Sequence, residues 1–219
     1  MNAPGATEGV QLLLLLALIV GVFVAISIRV RRPGKVVKKD EPLIKPHLDS
    51  LLLSFKKAAP PIRAGTLELL YAEQDFAGML GWIKNSLKLD LKVGLRIVSR
   101  PEASAPPMWI EIPKPTPMYG SKEFRNMRVV VSARKDLLDT KPFTWIVAGF
   151  AHELCHVVLF SIGHPLQHDE KAVDLTAMIL GYREFVVAAE YKFQNMKHSI
   201  GYLTSEERNF ADRYIRNHV

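Results

Sequence analysis

The segment FTWIVAGFAHELCHVVLF, residues 143–160, constrains the fold more than any other part of this chain. Its length and apolar character predict a helix over about residues 142–161. Three ionisable side chains, His152, Glu153 and His156, nevertheless lie within it. Such groups are costly to bury without a partner. The segment therefore predicts an apolar helix whose polar residues bind a metal ion.

The spacing of these three residues, His-Glu-x-x-His, indicates the kind of ion. On a helix, His152 and His156 project from the same face, with their Cβ atoms about 5–6 Å apart. Two imidazoles placed in this way can share one zinc ion at about 2.0–2.1 Å. Glu153 leans toward the open side of the metal, where it can take a proton from water. We therefore expect two zinc ligands and a general base here.

Catalytic zinc usually has three protein ligands and a water molecule, so a third ligand is needed. The extended motif with a third histidine is not present, because Leu159 and Ile162 occupy its glycine and final histidine positions. The remaining candidates lie close to or after a turn marked by Gly163 and Pro165. They are His164, His168, Asp169, Glu170 and Asp174.

A second helix that begins near Asp169 and runs antiparallel to the first would bring some of these candidates to the metal. Glu170 lies in its first turn, and His156 lies just over one turn from the end of the first helix. Glu170 can thus face the metal. Asp174 lies one turn deeper, where it can accept a hydrogen bond from a liganding imidazole. His168 stays a rival third ligand.

The two motifs HELCH (152–156) and EKAVD (170–174) resemble the signature of gluzincins, a class of zinc metallopeptidases. In that class H-E-x-x-H lies on one helix and E-x-x-x-D on the next. The resemblance implies Glu170 as the third ligand of one zinc ion and Asp174 as its supporting acid. The chain is most similar to the compact, membrane-anchored members of the class.

The resemblance also implies that a strand before the active-site helix binds the substrate in extended form. MRVVVSA (127–133) is the strand that we expect to do so. The predicted function is a zinc-dependent endopeptidase, in which Glu153 transfers a proton from water to the leaving amine. Candidate donors to the oxyanion follow the second helix or lie at its end. They are Tyr182, Arg183, His198 and Tyr202.

Two other functions are compatible with these motifs. In the first, zinc only stiffens the helix pair of a non-catalytic binding module. In the second, the chain is a zinc hydrolase of non-peptide substrates. Glu153 favours an enzyme, because a structural zinc site needs ligands but no general base. A polypeptide substrate is expected, and an open edge strand along the cleft would argue against non-peptide substrates.

The N-terminal part of the chain predicts a membrane anchor. Residues 12–28 carry no charge, and with their neighbours they predict a transmembrane helix over residues 10–30. The basic residues follow this helix, whereas a cleaved signal peptide carries them before it. Lysine and arginine in short flanks stay in the cytoplasm. We expect a single-pass protein with residues 1–9 outside and the catalytic domain on the cytoplasmic side.

The net charge of +7 is concentrated beside this helix. Six lysine and arginine residues lie between positions 29 and 39, and without them and Glu8 the net charge is about +2. Because a nucleic-acid-binding domain carries its excess charge on the folded body, no nucleic acid partner is expected. Residues 31–64 are a basic juxtamembrane segment and linker, and residues 65–219 are the peptidase domain. The single cysteine, Cys155, excludes an intramolecular disulfide.

The apolar periodicity predicts short strands between helices, hence an α+β fold. The expected strands are 91–97, 108–112 and 127–133. The expected helices are 66–89, 142–161, 169–192 and 205–217, with a shorter one at 47–58 that packs on the domain or on the membrane surface. The expected architecture is a small, mostly antiparallel sheet packed on a helical body with a zincin-like helix pair, preceded by one transmembrane helix.

Overall fold

The computed structural model describes residues 43–102, 105–190 and 202–218. The fold is α+β, as predicted, with one small sheet and a larger helical part. The α-helices are α1 (Lys45–Phe55), α2 (Gly65–Ala72), α3 (Phe76–Ser86), α4 (Lys122–Asn126), α5 (Lys135–Thr140), α6 (Phe143–Ser161), α7 (Glu170–Ala177), α8 (Arg183–Glu190) and α9 (Ser205–Arg216). The strands are β1 (Lys92–Val98), β2 (Met108–Glu111) and β3 (Arg128–Arg134). The sequence did not predict the short helices α4 and α5.

The sheet has the strand order β1-β3-β2 and is mixed. β3 pairs in parallel with the whole of β1, with Val131 opposite Leu95. It pairs antiparallel with the shorter β2, with Val131 opposite Ile110. The prediction of a mostly antiparallel sheet is therefore wrong. The reason is that the chain between β1 and β3 passes through β2 and α4 and crosses back, so β1 and β3 run in the same direction.

Helix α6 lies at the centre of the hydrophobic core. It is apolar over most of its surface, so other elements must surround it. Helices α2, α3, α7 and α8 and strand β2 pack against it. Among the described residues it is the one helix long and apolar enough to cross a membrane, yet most of it is buried inside the domain. The transmembrane helix predicted over residues 10–30 lies outside the described residues.

Helix α1 packs on the domain, which is the first of the two positions considered for residues 47–58. It buries Leu48 and Leu51 completely and lies against α7. Pro42–Val219 form one compact unit. That unit includes the second half of the segment that the sequence assigned to a linker, residues 31–64, because the leucines of α1 belong to the core.

The helix predicted over residues 66–89 is divided into α2 and α3. Asp75 is the N-cap of α3, and its carboxylate accepts a hydrogen bond from the backbone N–H of Gly78 at 2.8 Å. The preceding residue, Gln74, has a positive φ of 56°. The chain thus turns between the two helices, and the cap satisfies one of the free N–H groups that begin α3.

The helix predicted over residues 169–192 is also interrupted, at the segment Met178–Tyr182. Gly181 has a φ of 102°, a backbone angle that residues with a Cβ rarely adopt. A Cβ at this position would lie 2.7 Å from the carbonyl oxygen of Pro60. The backbone N–H of Ile62 donates to Gly181 O at 3.0 Å. The kink between α7 and α8 is therefore built around a close approach of two backbone segments.

Helix α9 begins with a capping box, which a threonine followed three residues later by a glutamate favours. Thr204 Oγ1 accepts a hydrogen bond from the N–H of Glu207, and Glu207 Oε2 accepts one from the N–H of Thr204. Glu207 Oε1 also accepts a hydrogen bond from Lys171 Nζ on α7, at 2.7 Å. The cap thereby joins the beginning of α9 to the first turn of α7.

Candidate metal centre

Helix α6 presents two imidazoles from one of its faces. The ring centroids of His152 and His156 are 5.0 Å apart, and the rings are nearly perpendicular, at 84°. His152 is buried and His156 is partly buried. The helix continues beyond His156 only to Ser161. The pair therefore lies close to the point where the chain leaves α6 and turns back.

The turn that follows α6 sets the position of the next helix. Gly163 adopts a left-handed φ of 61°, which favours glycine at the end of a helix. Asp169 is then the N-cap of α7, and its carboxylate accepts hydrogen bonds from two backbone N–H groups of the first turn. Glu170 is the first residue of α7. This short return brings Glu170 opposite the last turns of α6.

The side chains of His152, His156 and Glu170 converge on one point. Their ligand atoms all lie within 4.8 Å of one another. Glu170 Oε2 lies 3.3 Å from His152 Nε2 and 3.4 Å from His156 Nε2. Two donors that share a tetrahedral zinc ion at about 2.0–2.1 Å are separated by about 3.4 Å. Within the described residues, no other group of three histidine, cysteine or acidic side chains comes as close together.

Asp174 contacts the cluster through the ring nitrogen of His152 that faces away from Glu170. Its Oδ1 lies 2.8 Å from His152 Nδ1. Its Oδ2 accepts hydrogen bonds from the backbone N–H groups of Tyr202 at 2.6 Å and Leu203 at 3.3 Å. A proton on Nδ1 satisfies the contact with Asp174, and Nε2, which faces Glu170, can then bind either a second proton or a metal ion.

Glu153 lies beside the cluster in an open cleft with a volume of about 830 Å³. Only 8% of its surface is exposed, so the carboxylate borders the cleft without being freely solvated. One wall of the cleft comes from β2 and the residues that follow it, and the other comes from α6 and α7. The lining includes Met108, Trp109, Ile110, Glu111, Ile112, Pro113, Arg128, His152, Glu153, His156, Phe160, Glu170 and Tyr202.

Burial and mutual charge shift the pKa values of these groups. Burial raises the pKa of Glu153 to about 7. Burial opposes the charge on His152, but hydrogen bonds to Asp174 and Glu170 outweigh it and raise the pKa of His152 to about 10. Burial and the neighbouring His152 lower the pKa of His156 to about 4. Asp174 and Glu170 therefore stabilise a positive charge on His152, and a bound metal cation would be stabilised by the same carboxylates.

The cluster does not include the rival ligand or the cysteine. The ring of His168 packs edge-on against Phe160, with centroids 5.0 Å apart. Cys155 is fully buried, as its place in an apolar helix favours, and burial raises the pKa of its thiol. A thiol in that environment is a poor nucleophile and a poor ligand. Of the candidates weighed for the third position, Glu170 is the one that meets both imidazoles.

The candidate oxyanion donors separate clearly. Tyr182 and Arg183 are buried and do not line the cleft. His198 lies outside the described residues. Tyr202 lines the cleft, and its ring stacks over that of His152 with a centroid distance of 5.9 Å and an angle of 23°. Tyr202 is thus the described candidate that accompanies the cluster.

The expectation that residues 127–133 form an edge strand along the cleft is wrong. Residues 128–133 belong to β3, the central strand, which pairs with β1 along its whole length and with β2 over residues 130–133. Arg128 and Val130 of β3 also line the cleft. In the described part of the chain, β2 is the edge strand that borders the cleft. The carbonyl of Pro107 accepts a hydrogen bond from Arg134 N. Because pairing alternates along antiparallel strands, the backbone N–H and C=O groups of Met108 and Ile110 point away from β3.

One contact beside the cluster could not be foreseen from the sequence. His47 Nε2 on α1 lies 3.2 Å from Oδ2 of Asp169, the N-cap of α7. The two residues are 122 positions apart. Apolar periodicity predicts that α1 packs on the domain, but it does not indicate which helix lies under His47.

No protein-family model, no curated protein and no solved structure matches this chain. The resemblance to gluzincins therefore depends on the two motifs and on the positions of their side chains.

Proposed function

We propose that this chain is a zinc-dependent endopeptidase of the gluzincin class. The observation that carries the proposal is the convergence of His152, His156 and Glu170 beside Glu153 in an open cleft. Two imidazoles and one carboxylate form a ligand set of catalytic zinc, which keeps a fourth position for water or substrate. A site that served only to stabilise the fold would need no acid beside that position.

The donor set supports zinc over other common cations. Calcium and magnesium prefer oxygen ligands, whereas imidazole suits zinc. The separations of 3.3 and 3.4 Å between Glu170 Oε2 and the two imidazole nitrogens agree with donors that share one tetrahedral ion. Asp174 holds His152 in the orientation that directs Nε2 into the cluster. His152, His156 and Glu170 would therefore hold the ion.

The chemistry divides between the ion and Glu153. A zinc ion bound here would supply a Lewis acid that polarises a carbonyl group and acidifies water. The Glu153 carboxylate accepts a proton from the attacking water while the water oxygen forms a bond to the carbonyl carbon. Glu153 then passes this proton to the amine nitrogen as the C–N bond breaks. The products are one carboxylic acid and one amine, so atoms and charges balance.

Among the described residues, the outer edge of β2 pairs with no other strand, and this supports an extended polypeptide as the substrate. The outward N–H and C=O groups of Met108 and Ile110 can pair with a peptide backbone as an additional strand. The same wall of the cleft carries apolar side chains, including Trp109 and Ile112, and Phe160 adds another from α6. We therefore expect main-chain pairing to supply affinity and apolar substrate side chains to be preferred.

Tyr202 is the candidate that stabilises the oxyanion. Its ring stacks over that of His152 and lines the cleft. Its backbone N–H donates a hydrogen bond to Asp174 Oδ2. A phenolic O–H can donate to the negative oxygen that forms when water adds to the carbonyl. Tyr202→Phe should therefore lower kcat more than it raises KM, because the bond forms only in the transition state.

The peptidase is attached to a membrane through residues 10–30, with its catalytic domain on the cytoplasmic side. The length and hydropathy of that segment support the anchor, and the basic residues that follow it support the orientation. In the producing cell, the chain should resist extraction by alkaline carbonate, and the domain should be protected from external protease. Release by carbonate would contradict the anchor, and cleavage of the domain by external protease would contradict the orientation.

The proposed activity is tested with the full chain purified in detergent. Zinc content is measured by elemental analysis, and turnover is measured on fluorogenic peptide libraries. Glu153→Gln should retain one zinc ion and lose activity by about 100-fold to 10,000-fold, the usual contribution of a general base. The exposed Glu123→Gln on α4 is the matched control and should behave as the wild type.

Three outcomes would contradict the proposal, one for the role of Glu153 and two for the peptidase activity. If the wild type and Glu153→Gln bind zinc and turn over peptides at the same rate, Glu153 is not the base. If the wild type binds zinc and cleaves none of the peptides, the chain is a zinc-stabilised binding module. Turnover of esters or other acyl compounds instead of peptides would indicate a different hydrolase.

A further inference from the structure

We infer that His47 is a positioning residue for the metal centre, which acts through Asp169 on the direction of Glu170. His47 comes from α1, whereas Asp169 and Glu170 begin α7. The inference rests on the proposed function, because the quantity that His47 would control is the affinity of the cluster for zinc. The contacts of these three residues carry it.

Glu170 depends on its own backbone for its direction. Its side chain is 41% exposed, and in the described part of the chain the groups that meet its carboxylate are His152 and His156. His152, by contrast, is held by Asp174. A carboxylate without such a supporting partner points where the first turn of its helix directs it. The orientation of that turn therefore decides whether Glu170 reaches the metal.

Asp169 fixes that turn with one oxygen and contacts His47 with the other. Its Oδ1 accepts hydrogen bonds from the N–H groups of Lys171 at 2.8 Å and Ala172 at 3.1 Å. Its Oδ2 lies 3.2 Å from His47 Nε2. A side chain that caps a helix with one oxygen can still rotate about that contact. The second contact, to His47, limits this rotation and ties the first turn of α7 to α1.

Helix α1 provides a firm base for this contact. Leu48, next to His47, is fully buried, as is Leu51 one turn further on. The first turn of α7 is held from another direction by the hydrogen bond from Lys171 to Glu207 of α9. Glu170 thus projects from a turn that α1 and α9 both hold, although neither helix contributes a metal ligand.

A purely structural role for His47 makes a different prediction. A contact that only stabilises the fold would lower the melting temperature of the protein when it is removed. It would not change the zinc affinity of molecules that remain folded. A positioning contact changes that affinity, and it also changes the ligand geometry around the ion. Zinc affinity and the absorption spectrum of bound cobalt therefore distinguish the two roles.

The test uses the full chain in detergent, with three variants. His47→Ala removes the contact, and His47→Gln keeps a side-chain N–H that can donate to Asp169. Tyr214→Phe is the matched control, because it removes the hydrogen bond from Tyr214 to Asp49, a different contact of α1. Zinc affinity is measured by competition with a chromophoric chelator, the cobalt spectrum by absorption, and the melting temperature in EDTA.

His47→Ala should weaken zinc binding by about tenfold, at the low end of what partners of ligands contribute. It should also alter the cobalt spectrum. His47→Gln should recover most of the affinity, and Tyr214→Phe should keep the affinity of the wild type even if its melting temperature falls.

Unchanged affinity and cobalt spectrum in His47→Ala would overturn the inference and leave the proposed function intact. Equal losses of affinity in His47→Ala and Tyr214→Phe would also overturn it, because they would indicate general loosening of α1. A wild-type chain that binds no zinc would overturn the proposed function itself, and the positioning role with it.

Discussion

Replacing Asp174 should weaken both the metal site and the fold, by amounts that the structure allows us to estimate. Asp174 is 3% exposed and makes three hydrogen bonds, to His152 Nδ1 and to the N–H groups of Tyr202 and Leu203. The hydrogen bond from the Tyr202 N–H is only partly buried, so water can replace it. The other two bonds involve a charged group and contribute about 1.5–3 kcal/mol each.

Asp174→Ala should therefore lower the free energy of unfolding by about 2–4 kcal/mol, since the variant no longer buries a carboxylate and recovers part of the loss. It should also weaken zinc binding by about 10-fold to 100-fold, because His152 loses the partner that orients its ring. Asp174→Asn should show the smaller loss of stability, because its amide can still accept one of these bonds.

Urea unfolding in EDTA measures the free energy of unfolding, and competition with a chelator measures the zinc affinity. Asp139→Asn is the control, because Asp139 forms an exposed ion pair with Lys135 that should contribute little. If Asp174→Ala is as stable as the wild type and binds zinc as tightly, the hydrogen bonds around Asp174 do not support the site, and the reasoning fails.

Three further predictions concern the fold and its linkage to zinc. Gly181→Ala should lower the free energy of unfolding by at least about 2 kcal/mol in urea, because of its positive φ and the contact with Pro60 O; an unchanged value would contradict the kink. Burial opposes ionisation of Glu207, but hydrogen bonds, chiefly from Lys171, outweigh it and lower its pKa below the ordinary 4.5. The stabilisation that the Glu207 carboxylate provides is therefore fully present above pH 4.5 and is lost as pH falls through the lowered pKa. Glu207→Gln should thus be less stable than the wild type at about pH 7, and the difference should shrink at about pH 3. Zinc at 100 times its Kd should stabilise the wild type by about 2.7 kcal/mol, and His156→Ala much less at the same concentration, as calorimetry can show.

The parts of the fold that could be predicted are those that neighbouring residues determine. The apolar run of α6, the capping box of Thr204 and Glu207, and the burial of Cys155 all depend on local sequence. The convergence of Glu170 with the two imidazoles could also be predicted, because a short turn at Gly163 directs the chain back alongside α6.

The parts that could not be predicted depend on contacts between distant segments. Strand periodicity does not reveal that β3 is central, because every strand presents alternating faces whichever neighbours it pairs with. The kink at Gly181 follows from the close approach of Pro60, more than 100 positions earlier. The contact of His47 with Asp169 is of the same kind. In each case the sequence contains the residues but not their partners.

The central claim is that His152, His156 and Glu170 bind one zinc ion, and X-ray absorption at the zinc edge of the full chain tests it most directly. We expect one zinc per chain with two imidazole nitrogens at about 2.0–2.1 Å, one carboxylate oxygen, and one further light atom. A sulfur neighbour at about 2.3 Å, a shell without imidazole scattering, or a chain that holds no zinc would contradict it.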